Sequence, residues 1–235
     1  MRDRWPPYGA AAGAIAVILY VVGSVVMGTP PDFDAPGAEV AAYLDEERTR
    51  IQVGSAIHAA WAPLFVWFLA TVASLTRAGG RATQRAGAVA FGCGVTFLAL
   101  FLADVAALAV GALRPENMAS APELAAALHD FSWLAMGMAA FLVSGALGAF
   151  AVLALRDKAI WPQWLGWLAV IAALVYALRV GSLFTTEGAF AADGVLGLWV
   201  PVTGAAGWIV LGSIVLARGL TRVADPAELI GRPHG

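Results

Sequence analysis

Charged residues are scarce in this sequence. Asp, Glu, Lys and Arg together make up 13% of its 235 residues, whereas hydrophobic residues make up 60%; a typical soluble domain has about 25% charged residues. This shortage excludes an ordinary soluble domain and indicates that lipid is the main solvent. Lys158 is the only lysine, the formal net charge is -2, and the sequence has no run of basic residues. Nucleic acid is therefore not expected as a partner.

Cysteine and the common catalytic motifs are also nearly or wholly missing. Cys93 is the only cysteine, which excludes an intramolecular disulfide and a thiolate metal site. We interpret it as a small packed hydrophobic residue. The sequence has no H-E-x-x-H, no G-x-S-x-G, no phosphate loop and no paired acidic diphosphate motif. It therefore predicts no metal site, assigns no catalytic residue and leaves the question of enzymatic activity open.

Long apolar runs dominate the chain instead. A helix needs roughly 20 apolar residues to cross the hydrocarbon core of a bilayer, and six segments meet that length. They are residues 9–28, 52–75, 86–113, 131–155, 162–184 and 194–217. Their length and the lack of long alternating strands favour helices. We predict an all-α integral membrane protein whose residues 1–217 form a six-transmembrane-helix bundle and whose residues 218–235 form a cytoplasmic tail.

The basic residues predict the orientation of this bundle, because they gather on the cytoplasmic side of membrane proteins. Most of them fall on the side that holds both termini, which we therefore place in the cytoplasm. On the opposite, outer side, residues 35–44 and 121–128 each begin with a proline and a glutamate followed by alanines. Both segments are predicted to form short helices at the outer interface.

Four ionisable side chains lie within the predicted spans: His58, Asp104, His129 and Arg179. Such residues are costly in lipid and are functional candidates by default. At ~1.5 Å per helical residue, each lies about 9–15 Å inside the nearest charged residue of an outer loop. The sequence therefore predicts a polar pocket in the outer half of the membrane.

Each of the four also has a structural explanation. The side chain of Asp104 is too short to reach water, and Arg179 is its natural counter-ion. A purely structural ion pair between the two would account for both residues without a ligand. His129 precedes Asp130 at the headgroup boundary, and His58 would bond to a backbone carbonyl. Pro63 and Pro201 are predicted to kink the second and sixth spans and so to open the pocket outwards.

Several functions fit such a pocket. A small-ligand or lipid binder, or an accessory subunit of a membrane complex, is the leading hypothesis. A b-type haem held between His58 and His129 would make the protein an electron carrier. Asp104 and His58 would also suit a lipid- or isoprenoid-processing enzyme or a proton-coupled transporter.

Loop and interface patterns resemble those of uncharacterised six-span membrane proteins of high-GC bacteria. The matching patterns are Pro31, Glu39-Val40-Ala41-Ala42-Tyr43, Arg50, Trp161-Pro162-Gln163-Trp164-Leu165-Gly166-Trp167 and Gly188-Ala189-Phe190. The resemblance implies a six-span fold in the bacterial cytoplasmic (inner) membrane and implies no activity. The partners expected there are membrane lipid and a partner membrane protein or a second copy of the chain.

Overall fold

The computed structural model describes residues 5–156 and 161–223. Arg2, Arg4, Lys158 and residues 224–235 of the predicted tail lie outside the described residues. Within these two ranges, all regular structure is helical. The α-helices are α1 (Trp5–Met27), α2 (Gly37–Glu46), α3 (Arg48–Leu75), α4 (Arg81–Leu113), α5 (Pro115–Ser120), α6 (Pro122–Met138), α7 (Ala140–Arg156), α8 (Gln163–Ala177) and α9 (Val200–Val223). Thr76–Ala78 and Leu178–Leu183 form 3-10 helices, and Val195–Trp199 forms a π-helix.

Six helical segments of the described chain are long and apolar enough to cross a membrane, which confirms the predicted multi-pass helical fold. These segments are Tyr8–Met27, Arg48–Leu75, Arg81–Leu113, Pro122–Arg156, Gln163–Leu183 and Val195–Gly219. The fourth begins at Pro122 and not at residue 131, since proline fits a first helical turn and Glu123 complements its positive end. Residues 122–128 are therefore continuous with the helix of the fourth segment, whereas α2 is a separate short helix.

The two predicted kink sites differ in local structure. α3 continues as an α-helix through Pro63. At Pro201, by contrast, a π-helical turn directly precedes α9. Proline has no N–H, so the carbonyl of Gly197 loses its usual i+4 donor there. The π-helical turn therefore lies at the beginning of the sixth span, where the carbonyl of Gly197 lacks its usual donor.

The six spans form a closed ring. α1 packs on α3, α3 on α4, α4 on α7, α7 on α8, α8 on α9, and α9 again on α1. Glycines allow the closest approaches: a Cβ added at Gly54 of α3 would lie 2.8 Å from the carbonyl oxygen of Gly23 in α1. Gly13 of α1 faces Ser213 of α9 in the same way. A ring of this kind encloses space at its centre.

One end of the ring is covered by α2 and α5, which we call the cap. Val40 and Leu44 of α2 and Met118 of α5 are buried with Met27 and Leu108 of the spans. This apolar cluster is separate from the larger core between the spans. The cap is therefore attached to the bundle by its own hydrophobic contacts.

Candidate functional site

A cavity of about 1150 Å³ lies inside the ring, and residues from all six spans line it. Its polar lining includes His58, Asp104, His129, Ser132, Tyr176 and Arg179. The remainder of the wall is mostly aromatic and aliphatic, and it includes Phe65, Leu69, Phe97, Leu147, Phe150 and Ile209. Phe150 also stacks on buried Trp208, with ring centroids 4.6 Å apart, so aromatic packing backs this apolar part of the wall.

The four ionisable residues singled out in the sequence all line this one cavity. His58 comes from α3, Asp104 from α4, His129 from α6, and Arg179 from the 3-10 helix after α8. All four are buried, with relative exposures of 1% to 8%. The sequence predicted only a common depth, and the fold adds their arrangement around one space.

Asp104 has a different partner from the predicted one. Its carboxylate accepts a hydrogen bond from the hydroxyl of Ser132 in α6. Asp104 and Arg179 interact electrostatically but do not form an ion pair. Arg50, the other arginine of the cavity wall, does form an ion pair, with Glu47 at 2.9 Å. The expected direct Asp104–Arg179 pair is thus replaced by a serine-bound carboxylate and a nearby cation.

Arg179 is a buried cation with one unsatisfied donor. Its side chain is 3% exposed, and its Nε has no hydrogen-bond partner. Tyr176 lies one turn earlier, and its hydroxyl accepts a hydrogen bond from the Arg179 side chain. Because one hydroxyl and the nearby Asp104 satisfy the buried guanidinium only in part, this cation is suited to an oxygen-rich group inside the cavity.

The imidazole of His58 is held by α1. Its Nε2 lies 3.1 Å from the carbonyl oxygen of Tyr20 and 3.3 Å from the hydroxyl of Ser24. Ser24 itself donates to the Tyr20 carbonyl, so Nε2 is the nitrogen that carries the hydrogen. Nδ1 then remains as a buried acceptor without a partner. The rings of Tyr20 and Phe101, at 5.6 and 5.2 Å, fix the orientation of the imidazole.

His129 joins α6 to the segment that follows α1. Its Nε2 lies 3.2 Å from the carbonyl oxygen of Asp32, and the indole of Trp133 donates to the same nitrogen at 3.1 Å. A carbonyl requires a donor and an indole requires an acceptor, so one of the two bonds is made at a time. Nδ1 has no partner, and the side chain is buried from water.

These bonds bear on the hypothesis of a haem held between His58 and His129. Ligation of a haem iron through Nε2 would require each histidine to give up its bond to a backbone carbonyl. In the described part of the chain, no group of three or more His, Cys, Asp or Glu side chains is placed to hold a metal ion. The arrangement favours hydrogen bonding to a bound molecule over ligation of a metal.

Several residues of the site were not singled out in the sequence. Ser132 lies three residues after His129, and Tyr176 lies three residues before Arg179, so each shares a helix face with a predicted residue. This spacing could have identified Ser132 and Tyr176 from the sequence. Tyr20 could not have been identified in this way, because it contributes a backbone carbonyl that any residue would supply.

The cavity reaches the outer surface of the bundle between α1 and α9. These helices meet where Gly13 faces Ser213. Nearer the cap, Val25 of α1 and Trp199, which precedes α9, both line the cavity and are 70% and 61% exposed. Val21 and Thr203 are likewise exposed lining residues. The two helices therefore leave a sideways opening, which we call the lateral opening.

The chain matches no protein-family model, no curated protein and no solved structure. Its function has to follow from the geometry of the cavity.

Proposed function

We propose that this protein binds a small amphipathic molecule within the membrane, in the cavity at the centre of the ring. The observation that carries the proposal is the division of the cavity wall into a polar group of side chains and an apolar remainder. The volume of about 1150 Å³ exceeds the range of roughly 300–1,000 Å³ that is usual for drug-sized ligands. A lipid-sized molecule therefore fits the available space.

The polar part of the wall supports this proposal through its missing hydrogen bonds. Nδ1 of His58, Nδ1 of His129 and Nε of Arg179 are all buried without partners. Each such group costs about 1–3 kcal/mol when it is left unsatisfied. Native proteins normally satisfy buried polar groups with protein, water or ligand. These three residues also line the cavity, so the polar end of a bound molecule would lie against their side chains.

The apolar part of the wall and the lateral opening support the proposal, because they suit the apolar end of an amphipathic ligand. Aromatic and aliphatic side chains such as Phe65, Leu69 and Phe97 would cover a hydrocarbon tail, whose burial is worth about 25 cal/mol per Å². A molecule dissolved in the bilayer would pass between α1 and α9 without crossing water. In the bacterial cytoplasmic membrane, with both termini inside, the cap would face outwards.

Native mass spectrometry of the detergent-solubilised protein tests the proposal. We expect a non-covalent adduct of defined mass on the wild-type chain. Ala146→Phe fills the cavity, whereas Val152→Phe places the same side chain on an exposed position of the same helix. The adduct should be lost from the first variant and kept by the second.

A second cavity-filling variant, Ala205→Phe in α9, guards against a folding defect at Ala146. An adduct that persists in both filled variants would overturn the assignment of the cavity. So would a wild-type protein that carries no adduct and shows no saturable binding of long-chain amphiphiles. A stoichiometric partner chain in place of a small molecule would indicate an accessory subunit instead.

A further inference from the structure

Building on the proposed binding function, we infer that the ligand is a long-chain amphiphile with an anionic oxygen head, and that Arg179 holds this head. A cavity of mixed polarity does not by itself determine the chemical class of its ligand. The charges around one buried guanidinium, and the position of that guanidinium in the cavity wall, favour an anionic head.

Arginine keeps its positive charge in proteins under all ordinary conditions. At 3% exposure, the side chain of Arg179 is removed from bulk water, and its Nε makes no hydrogen bond. Asp104 is its nearby carboxylate, but that group is bonded to Ser132 and forms no ion pair with Arg179. A buried cation in this state is stabilised strongly by an anion that arrives from outside.

The shape of the guanidinium narrows the choice of anion. Its planar set of N–H donors matches carboxylate and phosphate oxygens, which it binds with two parallel hydrogen bonds. Tyr176 and His129 belong to the same cavity wall, so an anion at Arg179 would also lie near their polar side chains. A neutral alcohol would leave Arg179 with only the Tyr176 hydroxyl and the unpaired neighbour Asp104 as partners.

The acids of the cavity wall restrict where an anionic head can lie. Asp104 is bound by Ser132, and Asp32 and Asp193 lie in the segments that connect spans. Arg50, the other cation of the wall, is exposed and already paired with Glu47. Arg179 is therefore the cation of the wall that is both buried and without an ion pair, and the head is expected there.

The hydrocarbon tail follows from the rest of the wall. Phe97, Phe101, Leu147 and Ile209 provide apolar surface on α4, α7 and α9. The lateral opening between α1 and α9 admits a molecule whose tail remains in the hydrocarbon region. A free anion without a tail would gain nothing from this surface and would have to leave water to reach Arg179.

The experiment compares three ligands of equal chain length: hexadecanoic acid, hexadecyl phosphate and hexadecanol. Their dissociation constants for the purified protein are measured in detergent by competition in native mass spectra. A hydrogen bond to a charged group is worth about 1.5–3 kcal/mol, so we expect the anions to bind roughly 10- to 100-fold more tightly than the alcohol. A stronger effect of the acid indicates a fatty acid, and a stronger effect of the phosphate indicates a phospholipid-like head. Either result supports the inference.

Arg179→Gln should abolish this preference by weakening the two anions and sparing the alcohol. Arg179→Lys, which keeps the charge without the fork, should retain part of it. Arg114→Gln removes an exposed arginine at the same end of the bundle that does not line the cavity, and should change nothing. Equal binding of acid and alcohol by the wild-type protein overturns the head assignment while the binding function stands. If none of the three ligands binds the wild-type protein, the binding function itself fails.

Discussion

The crossing of α1 and α3 allows a sharp prediction about stability. A Cβ at Gly54 would lie 2.8 Å from the carbonyl oxygen of Gly23 and 2.9 Å from the Cβ of Met27. Neither atom is the end of a flexible side chain, so Gly54→Ala forces the two helices apart. Overpacking of this kind costs about 1–3 kcal/mol, and alanine regains about 0.5–1 kcal/mol as the better helix former. We expect the free energy of unfolding to fall by about 1–2 kcal/mol.

Thermal unfolding of the purified protein in detergent, followed by circular dichroism, measures this loss. At ~2–4 °C per kcal/mol for a chain of this size, Tm should fall by about 2–8 °C. Gly92→Ala in α4 is the matched control, because it is exposed within another span and its added methyl group meets no atom within 4 Å. That variant should be slightly more stable than the wild type. The reasoning about helix contact is refuted if Gly54→Ala is as stable as Gly92→Ala.

Two further measurements test the site and the orientation. Ser132→Ala removes the donor to Asp104 and should lower the free energy of unfolding by about 1–3 kcal/mol. The control Ser120→Ala, at an exposed position, should leave the melting curve unchanged. Equal melting curves for the two variants would contradict a stabilising role of the buried Ser132–Asp104 bond. In a Cys93→Ala background, a membrane-impermeant maleimide should label Ser120→Cys on intact cells and Ala82→Cys only after permeabilisation. The opposite labelling pattern would show that the cap faces the cytoplasm.

Segment length and hydropathy were sufficient to predict the six spans, because the hydrocarbon core sets a minimum length for a helix that crosses it. The irregular ends of the spans were not predictable in this way. The N–H groups of Leu196 and Gly197 both bond to the carbonyl oxygen of Ala189, a loop contact that local sequence does not specify. The π-helical turn and the 3-10 helix after α8 depend on such tertiary contacts.

The sequence singled out four residues of the candidate site but did not identify their hydrogen-bond partners. Counting residues from the loops placed His58, Asp104, His129 and Arg179 at one level, and the cavity contains all four. Lateral neighbours depend on how each helix is rotated within the ring. For that reason the sequence suggested Arg179 as the partner of Asp104, whereas the fold supplies Ser132.

The contact of α1 with α9 has a consequence for biosynthesis. Of the six described spans, α1 is synthesised first and α9 last, yet these two are adjacent in the finished ring, where Gly13 faces Ser213. Non-local closure of this kind comes late, since the intervening chain must already be in place. Until α9 is inserted, one side of the cavity wall is missing. The proposed binding site is therefore complete only once α9 has joined the ring.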